Sequence, residues 1–335
     1  MTFVGYLFRQ VFVHPSQIPS DTNLEDQTII ITGANSGIGL EAARQCVRMK
    51  AKTLILAVRS SCKGEAAKKD ILSTNPGSST QVEIWILDME SFESVLAFGE
   101  RASALPFLNI AMLNAGVFKF EWTVSESSGI ESSLQVNHLS TALLSLLLLP
   151  VLRKTSQESG HPARLTITSS EVHMWTPFKE QKAEKILDRL NDKQFFSDSM
   201  DRYSVSKLVS LMWIRELASR VPSEAVTINL INPGSVDTGL HRDGNKFIQT
   251  FDRVVGRTPE EGGRLLIDAA VVKGENTHGK YLSEAKVTNM SAFVRSKEGE
   301  KIQKRLWDET AVMLESHVPQ SKLEEMLRNV DTMGD

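Results

Sequence analysis

The chain has 335 residues, 41% of them hydrophobic, enough to bury a full core in one large domain or two. Its 38 basic and 41 acidic residues leave a net charge of −3, without the basic excess that a nucleic-acid groove needs. Two cysteines, Cys46 and Cys62, are too few for a disulfide framework and have no metal-ligand company, so no metal is expected and a reducing, cytoplasmic setting fits.

Residues 1–24 open with "MTFVGYLFRQVFVHP", an apolar stretch broken by Arg9 and His14. It falls short of the ~20 apolar residues of a bilayer span. It reads as an arm packed on the domain, with weak interfacial association as the second reading. "TIIIT" (28–32) is a β-branched run that ends at glycines and reads as a buried strand. A helix over 38–50, a strand over 52–58, a helix over 62–73 and a strand over 81–88 follow. Next come a helix over 91–103, a strand over 108–116 and a helix over about 129–153. The apolar "TALLSLLLLPVL" (141–152) inside that helix is too short for a span and reads as a core helix. Strands at 163–170 and 226–234 bracket a helix at 202–221. A helix at 259–272 and a short seventh strand at 279–284 complete the alternation. The polar segments 174–201 and 239–258 read as insertions at the sheet edge, and 291–335 as a charged helical extension. Regular strand–helix alternation implies right-handed β-α-β units and a mostly parallel, seven-stranded α/β sheet covered on both faces. One domain over 25–290 is expected.

The first strand runs into "TGANSGIG" (32–39). Gly33, Gly37 and Gly39, with Asn35, Ser36 and Ile38 between them, form a turn opening a helix. Such a turn lets the backbone approach a pyrophosphate, which rests on the free N–H groups of the helix N-terminus. The alternative is an ordinary tight turn. An NAD site carries an acidic residue ~20 positions further on; that position here is Arg59, with Lys63 close by and no acid between Lys52 and Gly64. A guanidinium pairs with a 2′-phosphate where a carboxylate repels it, so NADP(H) is expected over NAD(H). Arg59 as a solvated loop residue is the other reading. Asp88 ends the third strand and serves either the adenine amino group or the start of the next helix.

Together, "TGANSGIG", "LNAG" (113–116), Asn137, "TSS" (168–170), "YSVSK" (203–207) and "NPG" (232–234) resemble, in order, the motifs of the short-chain dehydrogenase/reductase superfamily. The resemblance covers about 27–290. "VNHLS" (136–140), "RTPEEGG" (257–263) and "HGKYLSE" (278–284) are similar to its retinol-dehydrogenase-like branch. It implies a Rossmann fold and a catalytic tetrad of Asn137, Ser170, Tyr203 and Lys207. It also implies that Asn114, Ala115 and Gly116 line the adenosine side of the cofactor cleft. Pro233 and Gly234 would bound the nicotinamide, Thr238 would bond its carboxamide, Val236 would also contact the cofactor, and 239–251 would form a substrate loop. The first Asn of the family's Asn-Asn-Ala-Gly is Leu113 here. Some thirty residues separate Ser170 from Tyr203, a long gap that points to part of the substrate mouth. Pairing into a homodimer through the helices at 141–152 and 203–221 is the association this resemblance suggests.

Tyr203 and Lys207 lie one turn apart on one helix face. A free phenol has a pKa of ~10. A neighbouring ammonium, together with the positive nicotinamide ring of an oxidised cofactor, is expected to lower it, making Tyr203 a general acid in reduction or a base in oxidation. Ser170 would hold the carbonyl oxygen, and Asn137 a water leading to Lys207. His173, Trp175 and Phe247 are candidate substrate contacts, with Phe251 beside them; His138 is expected to pack. The reading is an NADP(H)-dependent oxidoreductase acting on the carbonyl or secondary alcohol of a lipophilic small molecule. The alternatives are an isomerase, epimerase or C–C lyase using the same tetrad, and a non-catalytic dinucleotide sensor.

Overall fold

The computed structural model describes residues 3–241 and 253–333. The segment that includes Phe247 and Phe251 lies outside the described residues. Eight strands form one sheet in the order β3-β2-β1-β4-β5-β6-β7-β8. They are β1 (Thr28–Thr32), β2 (Thr53–Val58), β3 (Gln81–Ile86), β4 (Ile110–Leu113), β5 (Ala163–Thr168), β6 (Val226–Asn232), β7 (Tyr281–Ser283) and β8 (Lys286–Thr288). β1 to β7 pair in parallel.

The eighth strand corrects the expected seven. β8 pairs antiparallel with β7 through a two-residue turn, Glu284–Ala285, with φ of 55° and 57°. Two consecutive positive φ values match the right-handed twist of a hairpin, and Asn-Gly is the pair that signals them. Glu-Ala carries no such signal.

β1 shows how the sheet makes two cores. All five of its residues are buried. Side chains alternate across a strand, so Ile30 packs into one cluster with Ile55 and Leu113. Ile29 and Ile31 pack into the other with Leu54, Leu56 and Met112. Helices α2 (Gly37–Arg48), α3 (Ser61–Ser73) and α8 (Pro259–Ile267) cover the second face, and α4 (Phe92–Ser103), α5 (Ser132–Ser159) and α7 (Ser199–Arg220) the first. The order reverses between β1 and β4, which opens a crevice at the carboxyl ends of the strands, the usual ligand position in such sheets.

Helix α5 is longer than the sequence pattern suggests. It has 28 residues and is apolar enough by composition to cross a bilayer, yet 94% of its most apolar window is buried inside the protein. A wider π turn, Gln135–Leu139, interrupts it. The insertion after β5 is anchored: its helix α6 (Ile186–Leu190) buries Ile186, Leu187 and Leu190. Beyond the sheet, α9 (Lys297–Glu315) stacks Trp307 on Trp213 of α7 with ring centroids 5.1 Å apart. The last helix, α10 (Gln320–Asp331), packs beside α5 and α9. At the other terminus, α1 (Phe3–Phe12) lies across the carboxyl ends of the strands.

Candidate active site

The turn after β1 is built to leave space. Gly33 has φ +67° and Gly37 φ +53°, both in the left-handed region. A Cβ on Gly39 would stand 2.5 Å from the Gly33 carbonyl oxygen and 2.8 Å from Asn114 Nδ2. The backbone of α2 therefore sits directly against β1. Ser36 takes the N-cap position of α2 but makes no side-chain cap bond, which leaves the first N–H groups of the helix open to an anion. Thr32 Oγ1 accepts from the backbone N–H groups of Asn114 and Ala115, each at 2.9 Å, and Asn114 Nδ2 donates to Thr32 O at 3.1 Å. The ends of β1 and β4 are thus locked together beneath the turn. These residues fit a dinucleotide: a rigid, side-chain-free cradle at a helix N-terminus is what a pyrophosphate requires.

Helix α7 carries the phenol and the amine. Its first turn is fixed by Asp198, which accepts from the Asp201 N–H at 2.8 Å. Lys207 Nζ donates to Thr168 O at 3.0 Å, which ties α7 to the end of β5. Ser170 follows on the same segment and hydrogen-bonds the Tyr203 side chain. The π turn in α5 aims Asn137 inward: its Nδ2 donates to Val117 O at 2.9 Å and Ser206 Oγ at 3.0 Å, and its Oδ1 accepts from Val117 N at 2.9 Å. Irregular turns of this kind recur where a helix must present a functional side chain. A Cβ on Gly116 would lie 3.2 Å from Asn137 Oδ1 and 3.3 Å from Lys207 Nζ, so all three meet at one point. Of the four residues expected to act together, Ser170, Tyr203 and Lys207 line one cleft, and Asn137 is buried behind them beside Gly116.

Without a cofactor, the Tyr203 phenol stands above its ordinary value. Burial pushes the phenol up to about 12, opposed only by the Ser170 hydrogen bond. Lys207 sits 5.9 Å from the phenol ring centroid, and burial pushes it down to about 8. The shared apolar surroundings disfavour both charges, and Lys207 directs a proton at Thr168 O. Tyr203 is therefore a protonated phenol at neutral pH.

The loop after β6 closes the other side. Asn232 Oδ1 accepts from the Glu171 N–H at 3.1 Å and from the Gly234 N–H at 3.2 Å, joining this loop to the serine segment. Gly234 adopts φ +77°. Pro233, Gly234, Val236 and Thr238 all face the cleft, as do Ser36, Gly37 and Ile38. The cleft volume is about 640 Å³. Among the described residues, no group of three or more His, Cys, Asp or Glu side chains is placed to hold a metal.

Several candidates lie elsewhere. Arg59, Lys63 and Asp88 do not line the cleft, and neither do Asn35 and Gly39. Arg59, at the end of β2, has a side chain 61% exposed and 3.6 Å from Glu90. Asp88 accepts from the Glu90 N–H at 3.0 Å, and it is Ser91 that caps α4. His173 is buried behind the wall. Its Nδ1 lies 2.7 Å from Ser170 O and its Nε2 accepts from Ser291 N at 3.3 Å, so it supports the serine segment rather than facing the cleft. Burial holds it neutral, down to about 4. His138 packs, with Nε2 2.9 Å from Thr310 Oγ1. Trp175 does line the cleft. So do Met200 and Leu240, from the two segments expected at the substrate mouth, and Tyr6, Val117 and Phe118, which the sequence reading missed. Val117 and Phe118 directly follow "LNAG", a usable signal; Tyr6 is brought in from far along the chain and has none.

A model of the short chain dehydrogenase family matches residues 27–174. The short chain dehydrogenase sol3 of Alternaria solani is 45% identical over 282 residues, covering 84% of this chain and 97% of that protein. The short-chain dehydrogenase fogG of Aspergillus ruber is 37% identical over 311 residues, covering 90% of this chain and 89% of that one. Among solved structures, an NADPH-bound carbonyl reductase from chicken fatty liver shares the fold, with a TM-score of 0.58 at 20% identity over 79% of this chain and 99% of that chain. The relatives' names reach the family and do not resolve a branch within it. With 45% identity across almost the whole length of a relative, the chain belongs to the short-chain dehydrogenase/reductase family.

Proposed function

We propose that the protein is an NADP(H)-dependent oxidoreductase that moves a hydride between the nicotinamide and the carbonyl or secondary-alcohol carbon of a lipophilic small molecule. The observation that carries this reading is a single cleft with the glycine cradle at one end and Ser170, Tyr203 and Lys207 at the other. When bound, the cofactor supplies the hydride. Tyr203 gives the proton from its Oη to the substrate oxygen. Ser170 Oγ hydrogen-bonds that oxygen as negative charge develops. Lys207 spends one of its donors on Thr168 O and turns the rest to the cofactor's ribose hydroxyls. Asn137, held by Val117 and Ser206, keeps Lys207 in place and carries the water path behind it. Phe118, Val172, Met200 and Leu240 make the substrate end of the cleft apolar.

The preference for NADP(H) rests on Arg59. Its contact with Glu90 is long, 3.6 Å, and its own side chain is 61% exposed, so the guanidinium is available to a 2′-phosphate. The chicken carbonyl reductase of the same fold binds NADPH, in keeping with this choice. Arg59→Asp is expected to weaken NADPH binding by about tenfold or more, with NADH affected less than about threefold. Fluorescence titration with each cofactor measures this. Equal weakening for both would remove Arg59 from the argument.

A further inference from the structure

Helix α1 is turned the unexpected way round. Its outward side chains are apolar: Phe8 is 60% exposed, Val11 45% and Phe12 67%. Of its inward side chains, the polar Arg9 and Gln10 engage the two segments that frame the reacting groups. Arg9 forms an ion pair with Glu171, the residue after Ser170. Gln10 Nε2 donates to Ser235 O at 2.5 Å, and Gln10 Oε1 accepts from Ser235 N at 3.2 Å, a double amide clamp on the loop after Pro233. Just past the helix, Val13 O accepts from Arg257 Nη2 at 3.1 Å, while Arg257 Nη1 holds Pro233 O at 3.0 Å. A Cβ on Gly234 would stand 2.5 Å from Gln10 Oε1, so that loop is shaped to receive the helix.

A helix kept only for stability would bury its apolar face. This one leaves Phe8, Val11 and Phe12 exposed and spends directional polar contacts on its position. What those contacts deliver to the cleft is Tyr6. Its ring is buried, lines the cleft, and meets Trp175 edge to face at 5.2 Å between centroids. Phe118 stands on the same cleft, 5.1 Å from the Tyr203 ring.

We propose that α1 is the outer wall of the substrate cleft and that Tyr6, with Trp175, selects flat aromatic ketones. The selection rests on the ketone-reductase reading above. Aromatic walls of this kind favour a stacked or edge-on ring over an aliphatic group of equal area. Arg9 and Gln10 act as positioning residues for that wall.

The test uses the full chain and two probes, 2-acetonaphthone and acetone. In Tyr6→Ala, the KM for 2-acetonaphthone is expected to rise about tenfold, with kcat/KM for acetone and the NADPH Kd within about twofold of wild type. Tyr6→Phe keeps the ring and is expected to restore the wild-type KM. Arg9→Met, which keeps most of the side-chain stem, is expected to raise the KM for 2-acetonaphthone as Tyr6→Ala does. An unchanged preference between the two ketones in Tyr6→Ala overturns the proposal. Equilibrium dialysis of 2-acetonaphthone against the NADPH-loaded protein separates the two readings without turnover. Binding that is lost in Tyr6→Ala but present in wild type supports the wall even if no reduction occurs. A wild-type protein that binds NADPH and no aryl ketone overturns the wall and leaves the cofactor reading standing.

Discussion

Replacing Tyr203 by Phe is expected to lower kcat for ketone reduction about 10³-fold while the NADPH Kd stays within about twofold. The ring remains to pack against Phe118, so the fold loses little, and what disappears is the proton. Burial keeps that proton on the phenol up to about pH 12, so Tyr203 contributes no fall in activity through the neutral range. Lys207 does. Its pKa is pushed down to about 8 in the free protein, and its charge is present below that value and lost above it. The rate constant kcat/KM reports ionisations of the free enzyme, so with NADPH varied it is expected to be level below pH 8 and to fall as the pH rises through that value. A Tyr203→Phe enzyme retaining more than about a tenth of wild-type kcat would show that the proton comes from elsewhere.

Gly39→Ala is expected to cost about 1–3 kcal/mol of stability and to weaken NADPH binding by more than tenfold. The added Cβ meets the Gly33 carbonyl oxygen at 2.5 Å. That oxygen is backbone, and the strand end it belongs to is pinned by the Thr32 bonds to Asn114 and Ala115, so nothing yields cheaply. The helix N-terminus must retreat from the cradle, and the anion loses its N–H partners. Gly274→Ala is the control. Gly274 has φ −91°, and its Cβ would find nothing nearer than 3.7 Å. Thermal melts and NADPH titration of both variants check this; equal behaviour of the two would refute the cradle.

Much of this architecture is legible in the chain because its signals are local. "TIIIT" followed by three glycines marks β1 and the turn above α2, and the Tyr203–Lys207 spacing marks one face of α7. The meeting of Ser170 with that pair follows from where a parallel sheet places its strand ends. What the sequence hides is set by distant contacts or by burial. The β7–β8 turn uses Glu284 and Ala285, whose side chains give no hint of positive φ. His173 sits beside Ser170 in sequence, yet its ring turns away to Ser291. The direction of the Tyr203 shift depends on burial rather than on Lys207, and spacing along a helix cannot report burial. Tyr6 reaches the cleft only because Arg9 and Gln10 find partners more than 150 residues away.

The central claim is that the nicotinamide and Tyr203 serve one carbonyl, the former with a hydride and the latter with a proton. Reduction of an aryl ketone with NADPH deuterated at the transferable C4 position, followed by mass spectrometry of the product, tests this directly. The account predicts an alcohol carrying one deuterium on the carbinol carbon, formed in step with NADPH consumption. Substrate converted with no deuterium gained and no NADPH consumed would contradict it, and would assign the same residues to proton chemistry alone.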